Sequence, residues 1–343
     1  MKSMKSRIVV IPGIVRQGVL ATTLVVAAIA CIPLFNSSTM AQSSAPDREI
    51  TNLEYPSIDG RKMTAVLSMP KGKGPFPIVV TIHGGKGDRE LYFIRTLAVP
   101  GEISPTVNML NEQPWAVLAV SYRAGAIFGV EEDDIVAGIR FAKTLPGIDP
   151  NRVGVLGGSH GGMLALRAAE MMGKEIVGVA AGSPWMTNPR VYLYGDQTAP
   201  PLSQISPQAL KWLLETFRKP LLQTIEIGRR MSKVEIDKML NEHSIEDNAE
   251  KIVVPVLFLT SLADVQVPHI LVQPTIAKLK AAKRDVTVYT ADKSLHGFYW
   301  GRNIDGGARA GMGPKTPVEL EEEATARAEI LKFFKRCFDG KKR

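Results

Sequence analysis

A serine stands among glycines at Gly157-Gly158-Ser159-His160-Gly161-Gly162. The run follows the β-branched apolar stretch Val153 to Leu156 and precedes a helix-forming stretch, His160 to Met172. A strand that turns into a helix within one residue lifts that residue's side chain clear of the sheet, the setting a G-x-S-x-G serine needs to act as a nucleophile. Side chains two positions to either side would collide, so Gly157 and Gly161 are required there. The same turn aims the backbone N–H of His160 at the oxygen of a bound acyl group. Two rivals exist. A phosphate-cradling loop would need a Gly-Lys-Ser/Thr or a dinucleotide glycine spacing, and neither is present. A glycine-rich turn without chemistry would need no partners elsewhere in the chain.

A serine hydroxyl needs a base, and the base needs an acid to orient it. After a strand-to-helix elbow of this kind the acid and then the base follow in chain order. Of the five histidines, His296 sits in Ser294-Leu295-His296-Gly297-Phe298, just past the last strand-forming run. His243 falls in a helical insertion, His269 opens a helix, and the His160 side chain is expected to point elsewhere. His83 is expected to brace a loop. Asp264, in the segment Ser261 to Pro268 after the fifth buried strand, is the candidate acid. The gap to His296 leaves room for one helix and one strand. Asp285 precedes a strand, at the wrong end of the sheet, and Asp292 reads as a turn cap. A second oxyanion donor belongs on the loop after the first buried strand, His83-Gly84-Gly85-Lys86-Gly87, with Gly85 N–H the choice and Lys86 the alternative. No His-x-x-x-His or Cys-x-x-Cys spacing points to a metal, and no motif calls for a cofactor.

These groups must be carried by a sheet. Residues 42–50 read as a Ser/Pro/Asp-rich linker. Glu49 to Tyr55 and Lys62 to Met69 read as an antiparallel pair turning at Asp59-Gly60. Short apolar, β-branched runs at 78–82, 116–120, 153–156, 176–180, 254–260 and 286–290 read as strands buried on both faces. Helical patterns at 131–143, 160–172, 270–282 and 317–338 alternate with them, which implies a parallel sheet covered on both sides. The acids at 131–134 suit the positive end of a helix. Residues 185–251 are too long for a simple connection. Helical patterns at 207–217, 221–230 and 233–242 make them a mostly helical cap. Trp185, Tyr192, Tyr194 and Trp212 either line a pocket or pack the cap, and Lys86 and Arg123 either meet an acidic substrate group or sit solvated.

The 343 residues, 45% hydrophobic and 22% charged, describe a globular chain with ample core. The net charge of +8 is carried by the two ends, Lys2 to Arg16 and Lys335 to Arg343. A nearly neutral body argues against nucleic-acid binding. Cys31 and Cys337 are the only cysteines, so this is no disulfide scaffold. Residues 1–41 have the layout of a secretory signal: a basic flank, an apolar centre from Gly18 to Phe35, and small residues before Gln42. An uncleaved membrane anchor and a lipid at Cys31 are the alternatives. Each places the body, 51–343, outside the cytoplasm, periplasmic or extracellular, with N-terminal membrane association if the segment stays.

The elbow, the strand-end His83-Gly84-Gly85, the Asp264-x-x-Val267-Pro268 segment and the Leu295-His296-Gly297-Phe298 segment together resemble the α/β-hydrolase superfamily. The run Asp149-Pro150-Asn151-Arg152-Val153-Gly154 is similar to the one used by its prolyl oligopeptidase-like and dienelactone hydrolase-like branches. The resemblance spans residues 50 to 338. It implies an α/β-hydrolase fold: a mostly parallel sheet, helices on both faces and a cap. It also implies a Ser159–Asp264–His296 triad with an oxyanion hole from Gly85 and His160. Peptidases of the first branch carry a large N-terminal propeller, and here only a short antiparallel pair precedes the core. The expected activity is therefore hydrolysis of a small-molecule ester, with short peptides as the alternative substrate. A non-catalytic binding protein on the same fold is the alternative of another class. A serine at the elbow, where dehalogenases carry aspartate, excludes that chemistry.

Overall fold

The computed structural model describes residues 46–101, 103–125, 127–194, 204–223, 225, 229–301 and 313–340. Residues 1–41, read as a signal or anchor, and residues 42–45 of the stretch read as linker lie outside them. Among the described residues, eight strands make one sheet: β1 (Arg48–Pro56), β2 (Lys62–Pro70), β3 (Phe76–Ile82), β4 (Ala116–Val120), β5 (Ile148–Gly158), β6 (Gly178–Gly182), β7 (Val256–Ser261) and β8 (Val286–Ala291). Their order is β1-β2-β4-β3-β5-β6-β7-β8. β1, β2 and β4 pair antiparallel, and every pairing from β4 through β8 is parallel. β1 starts at Arg48, so the strand reaches into the stretch read as linker.

Alternation within single strands divides the core between two faces. Ile78, Val80 and Ile82 of β3 join the layer formed by α3 (Val130–Thr144), α4 (His160–Met172) and α9 (His269–Ala281). Val79 joins the opposite layer, with Leu97, Phe333, Phe334 and Phe338. That second layer holds α1 (Leu91–Arg95), α2 (Pro105–Asn111) and the long C-terminal α10 (Pro317–Phe338). Burial from both sides is why β4 is an unbroken apolar run and why β7 is apolar from Val256 to Leu259. Glycines make room for the aromatics: a Cβ on Gly154 would strike the Phe334 ring, and one on Gly178 would crowd Cys337 and Phe333.

Between β6 and β7 lie α5 (Pro189–Tyr194), α6 (Pro207–Lys211), a π-helical stretch Trp212–Arg218, α7 (Lys219–Gln223) and α8 (Lys233–Glu242). The helix expected at 207–217 is thus α6 carried on by π-helix, and the one expected at 221–230 is represented by α7. α8 begins with a capping box between Ser232 and Glu235. This cap is tied to the core by charge. His243 Nδ1 lies 2.8 Å from Glu132 of α3, whose other oxygen accepts from Arg167 at 3.0 Å. Arg229 donates to the carbonyls of Ile127 and Phe128. Among the described residues no helix is long and apolar enough to cross a membrane.

Candidate active site

Every candidate residue sits at the C-terminal end of a parallel strand: the His83 loop after β3, Ser159 after β5, Asp264 after β7 and His296 after β8. Ser159 has φ 57° and ψ −119°, a conformation that costs a side-chain-bearing residue about 1–3 kcal/mol. Hydrogen bonds hold it there. Its N–H donates to Gly182 O at 2.7 Å, and its carbonyl accepts from Gly162, Met163 and Trp185 at 2.9, 3.1 and 3.1 Å. The glycines are needed for space. A Cβ on Gly157 would collide with the Gly161 carbonyl, and one on Gly161 with the backbone of Ile82 and His83. A Cβ on Gly84 would lie 3.0 Å from that of Ser159, so the His83-Gly84-Gly85 loop abuts the serine itself.

His296 Nδ1 lies 2.7 Å from Asp264 Oδ2. Asp264 is 3% exposed, and its Oδ1 accepts the N–H groups of Gln266 and Val267, each at 2.9 Å. The carboxylate is therefore fixed by backbone on one oxygen and by imidazole on the other. That contact sets the tautomer and ring plane and leaves Nε2 for proton transfer. The rivals are engaged elsewhere: Asp285 pairs with Arg336 at 2.5 Å and Asp292 with Lys293 at 3.1 Å.

The loop bearing His296 is anchored by residues that sequence reading did not single out. Glu322 of α10 accepts the N–H groups of Asp292, Lys293 and Ser294 and the Ser294 hydroxyl, at 2.6–3.2 Å. Burial pushes its carboxyl up, but the Ser294 hydroxyl and the three N–H groups outweigh that and hold it below the ordinary carboxylate range. Ser261 donates to the Ser294 carbonyl. Tyr299 occupies the space a side chain at Gly158 or Gly182 would need, seating the loop on the ends of β5 and β6. Glu322 lies within a helix rich in glutamate, where one-dimensional reading sees a solvated face.

Ser159 opens on a cleft of about 330 Å³ lined by Gly85, Lys86, Ile127, Glu131, His160, Trp185, Trp212 and Val267, among others. Both candidate oxyanion residues, Gly85 and His160, are thus on the wall beside the serine. The His160 side chain is buried and engaged with groups outside the Ser159, Asp264 and His296 set. It is packed between Tyr122 and Trp185, with ring centroids 5.3 and 4.8 Å away, and its Nε2 lies 3.0 Å from Glu131 Oε1. Glu131 is 1% exposed. The acids opening α3 do more than complement its dipole: Glu131 holds His160, Glu132 holds Arg167 and His243, and Asp134 holds Ser57 and Arg123. Arg123 is neither solvated nor in the cleft, because it bridges Asp134 and Asp59. Of the four cap aromatics, Trp185 and Trp212 line the cleft. Tyr192 packs edge-on against Trp185, and Tyr194 carries the Lys233 ammonium on its face. His83 is buried, with Nδ1 3.1 Å from the Gly84 carbonyl. Among the described residues no cluster of His, Cys, Asp or Glu is able to hold a metal ion.

Comparison with known proteins finds hydrolases of two kinds. Residues 66–183 match the family model BD-FAE, and residues 130–299 match that of acetyl xylan esterase (AXE1). A stretch of 120 residues, 33% of the chain, is 29% identical to "Uncharacterized peptidase YuxL" of Bacillus subtilis (strain 168). A stretch of 150 residues, 39% of the chain, is 27% identical to acylamino-acid-releasing enzyme 1 of Oryza sativa subsp. japonica. Each match spans 18% of the relative's length. In structure the chain is similar to puromycin hydrolase, with a TM-score of 0.62 at 18% identity, covering 87% of this chain and 40% of that one. It is also similar to an esterase from Pyrobaculum calidifontis, with a TM-score of 0.56 at 16% identity and 87% of both chains covered. Acylaminoacyl peptidase from Pyrococcus horikoshii gives a TM-score of 0.60 at 15% identity, covering 86% of this chain and 43% of that one. The strand order and these structural likenesses give the chain an α/β-hydrolase fold, and parts of its sequence are similar to esterases and peptidases.

Proposed function

We propose that the protein hydrolyses carboxylic esters of small molecules through an acyl-enzyme at Ser159. His296 takes the serine proton as the hydroxyl attacks the carbonyl carbon. It then gives that proton to the leaving alcohol, so the C–O bond to the alcohol breaks as the ester to Ser159 forms. Asp264 holds the imidazole and stabilises its charged form. The N–H groups of His160 and Gly85, with Lys86 the alternative to Gly85, receive the oxyanion. Water, deprotonated by the same histidine, releases the acid and restores the serine. The observation that carries this reading is the 2.7 Å Asp264–His296 contact on strand-end loops of the same sheet whose β5 ends in an elbow serine with φ 57°.

Esters are the preferred substrate because a cleft walled by two tryptophans and a helical cap suits a compact acyl or alkoxy group. Peptides are the second reading, favoured by the two partial sequence relatives, one named an uncharacterized peptidase and the other an acylamino-acid-releasing enzyme. Export of the mature body, with residues 1–41 as signal or anchor, belongs to the same proposal. Ser159→Ala is expected to lower turnover of a p-nitrophenyl ester by at least about 10⁴-fold, and wild-type turnover in that variant would sink the reading. A fluorophosphonate probe should label the wild type at Ser159 alone. Absence of labelling would point to a binding protein. Comparing short acyl esters with aminoacyl nitroanilides separates esterase from peptidase.

A further inference from the structure

Tyr122, just past the end of β4, is fully buried, and its phenol hydrogen-bonds to the loop after β3. The hydroxyl donates to the Gly85 carbonyl at 2.7 Å and lies 3.3 Å from that of His83. A buried aromatic that only filled space would need no hydroxyl, because a buried phenol costs free energy unless it is bonded. Burial keeps this phenol well above its ordinary range, so it stays a neutral donor. Peptide planarity gives the bond its consequence. The Gly85 carbonyl and the Lys86 N–H share one rigid plane and point in opposite directions. Holding the carbonyl fixes the Lys86 N–H, the alternative donor, and restrains ψ of Gly85, the chosen donor's own residue, at φ +75° where glycine's freedom would otherwise leave the loop loose.

The Tyr122 ring makes a second connection. It stacks on His83 with centroids 4.3 Å apart and planes 15° from parallel. It also stacks on His160, at 5.3 Å and 14°. His160 follows the nucleophile, and His83 opens the loop that abuts it. One side chain therefore spans the two segments that carry the candidate oxyanion donors, touching each through its ring and one through its hydroxyl.

We propose that Tyr122 is the positioning residue of the oxyanion site, holding the loop after β3 in register with the elbow so that both donors are set before substrate arrives. The inference rests on Ser159 being the nucleophile. It assigns Tyr122 no contact with substrate. Its contribution appears only when charge develops on the acyl oxygen, so it should act on kcat and on tetrahedral adducts, not on ground-state binding.

The test is Tyr122→Phe, which keeps the ring and removes the hydroxyl. Fluorophosphonate labelling of the wild type at Ser159 comes first, and its failure would sink the hydrolase reading itself. Given labelling, kcat for p-nitrophenyl butyrate should fall about 10- to 100-fold with KM changed less than about twofold. The inhibition constant of an alkyl boronic acid, which forms a tetrahedral adduct on the serine, should rise by the same factor. A kcat within twofold of wild type, a rise in KM alone, or unchanged boronate affinity would overturn the inference, whatever happens to the melting temperature. If Tyr122→Phe does not fold, 3,5-difluorotyrosine at position 122 preserves shape and hydroxyl while changing donor strength. There kcat and boronate affinity should shift together, and constancy of both would overturn the inference.

Discussion

The strand-end loops and the cap sit on the same cleft but are held by different physics. Asp264, Ser159 and the His296 loop are fixed largely by backbone groups: two N–H groups on Asp264, four backbone hydrogen bonds on Ser159, three N–H groups on Glu322. Their positions follow from where parallel strands end. The cap contributes Trp185 and Trp212 to the cleft but is fastened through side chains, His243 to Glu132 and Arg229 to two carbonyls. Geometry tied to a sheet tolerates little change, whereas geometry tied to a few side chains can be re-set by a few substitutions. On the proposed reading, bond-breaking belongs to the first region and substrate choice to the second.

The contrast can be broken most severely at Asp264. Asp264→Asn keeps an acceptor for Gln266 and Val267 but disturbs the imidazole tautomer, and kcat should fall about 10³- to 10⁴-fold with the fold intact by circular dichroism. A loss under tenfold would show that the framework does not dictate the chemistry. Trp212→Ala should act differently. Across p-nitrophenyl esters from acetate to octanoate, relative kcat/KM should shift by roughly 5- to 30-fold, equivalent to about 1–2 kcal/mol of pocket contact, while kcat for acetate stays within about twofold. A uniform fall across the series would assign the cap a part in the chemistry.

The smallest effect belongs to Glu322→Gln. The carboxyl of Glu322 lies below its unfolded value, so its contribution is present above the unfolded range and lost as pH falls through the folded one. The variant should lose about 1 kcal/mol at pH 7, after allowance for solvent screening of a partly exposed group. The gap from wild type should close below about pH 4, as followed by urea denaturation at several pH values. A gap that persists in acid would remove charge from the account of how the loop is held.

Much of this was legible because buried parallel strands leave unbroken apolar runs and because the elbow's glycines have a steric cause. Ser159, Asp264 and His296 are candidates because each stands just after such a run, and the structure puts Asp264 and His296 in contact. β6 was expected at 176–180 and lies at Gly178–Gly182, because its terminal glycines carry no strand propensity and are there to admit Phe333 and Tyr299. α1 and α2 escaped notice. Five and seven residues hold too little periodicity, although Ser104-Pro105 is a helix-start signal, and Ser104 does cap α2. Glu131 and Glu322 were invisible as site residues because their partners, His160 and the 292–294 loop, are far away in sequence. No local pattern separates a glutamate that holds a loop from one that faces water.

The backbone of Ser159 has a consequence for how such a molecule can change. A left-handed residue bearing a side chain is a local debt, carried because neighbouring hydrogen bonds enforce it. Glycine at this position would relieve that debt, and the chain would be sturdier and inert. Selection for durability alone would therefore erode the reactive centre first. Persistence of serine here, in any lineage of this chain, would record continued demand for turnover rather than for folding.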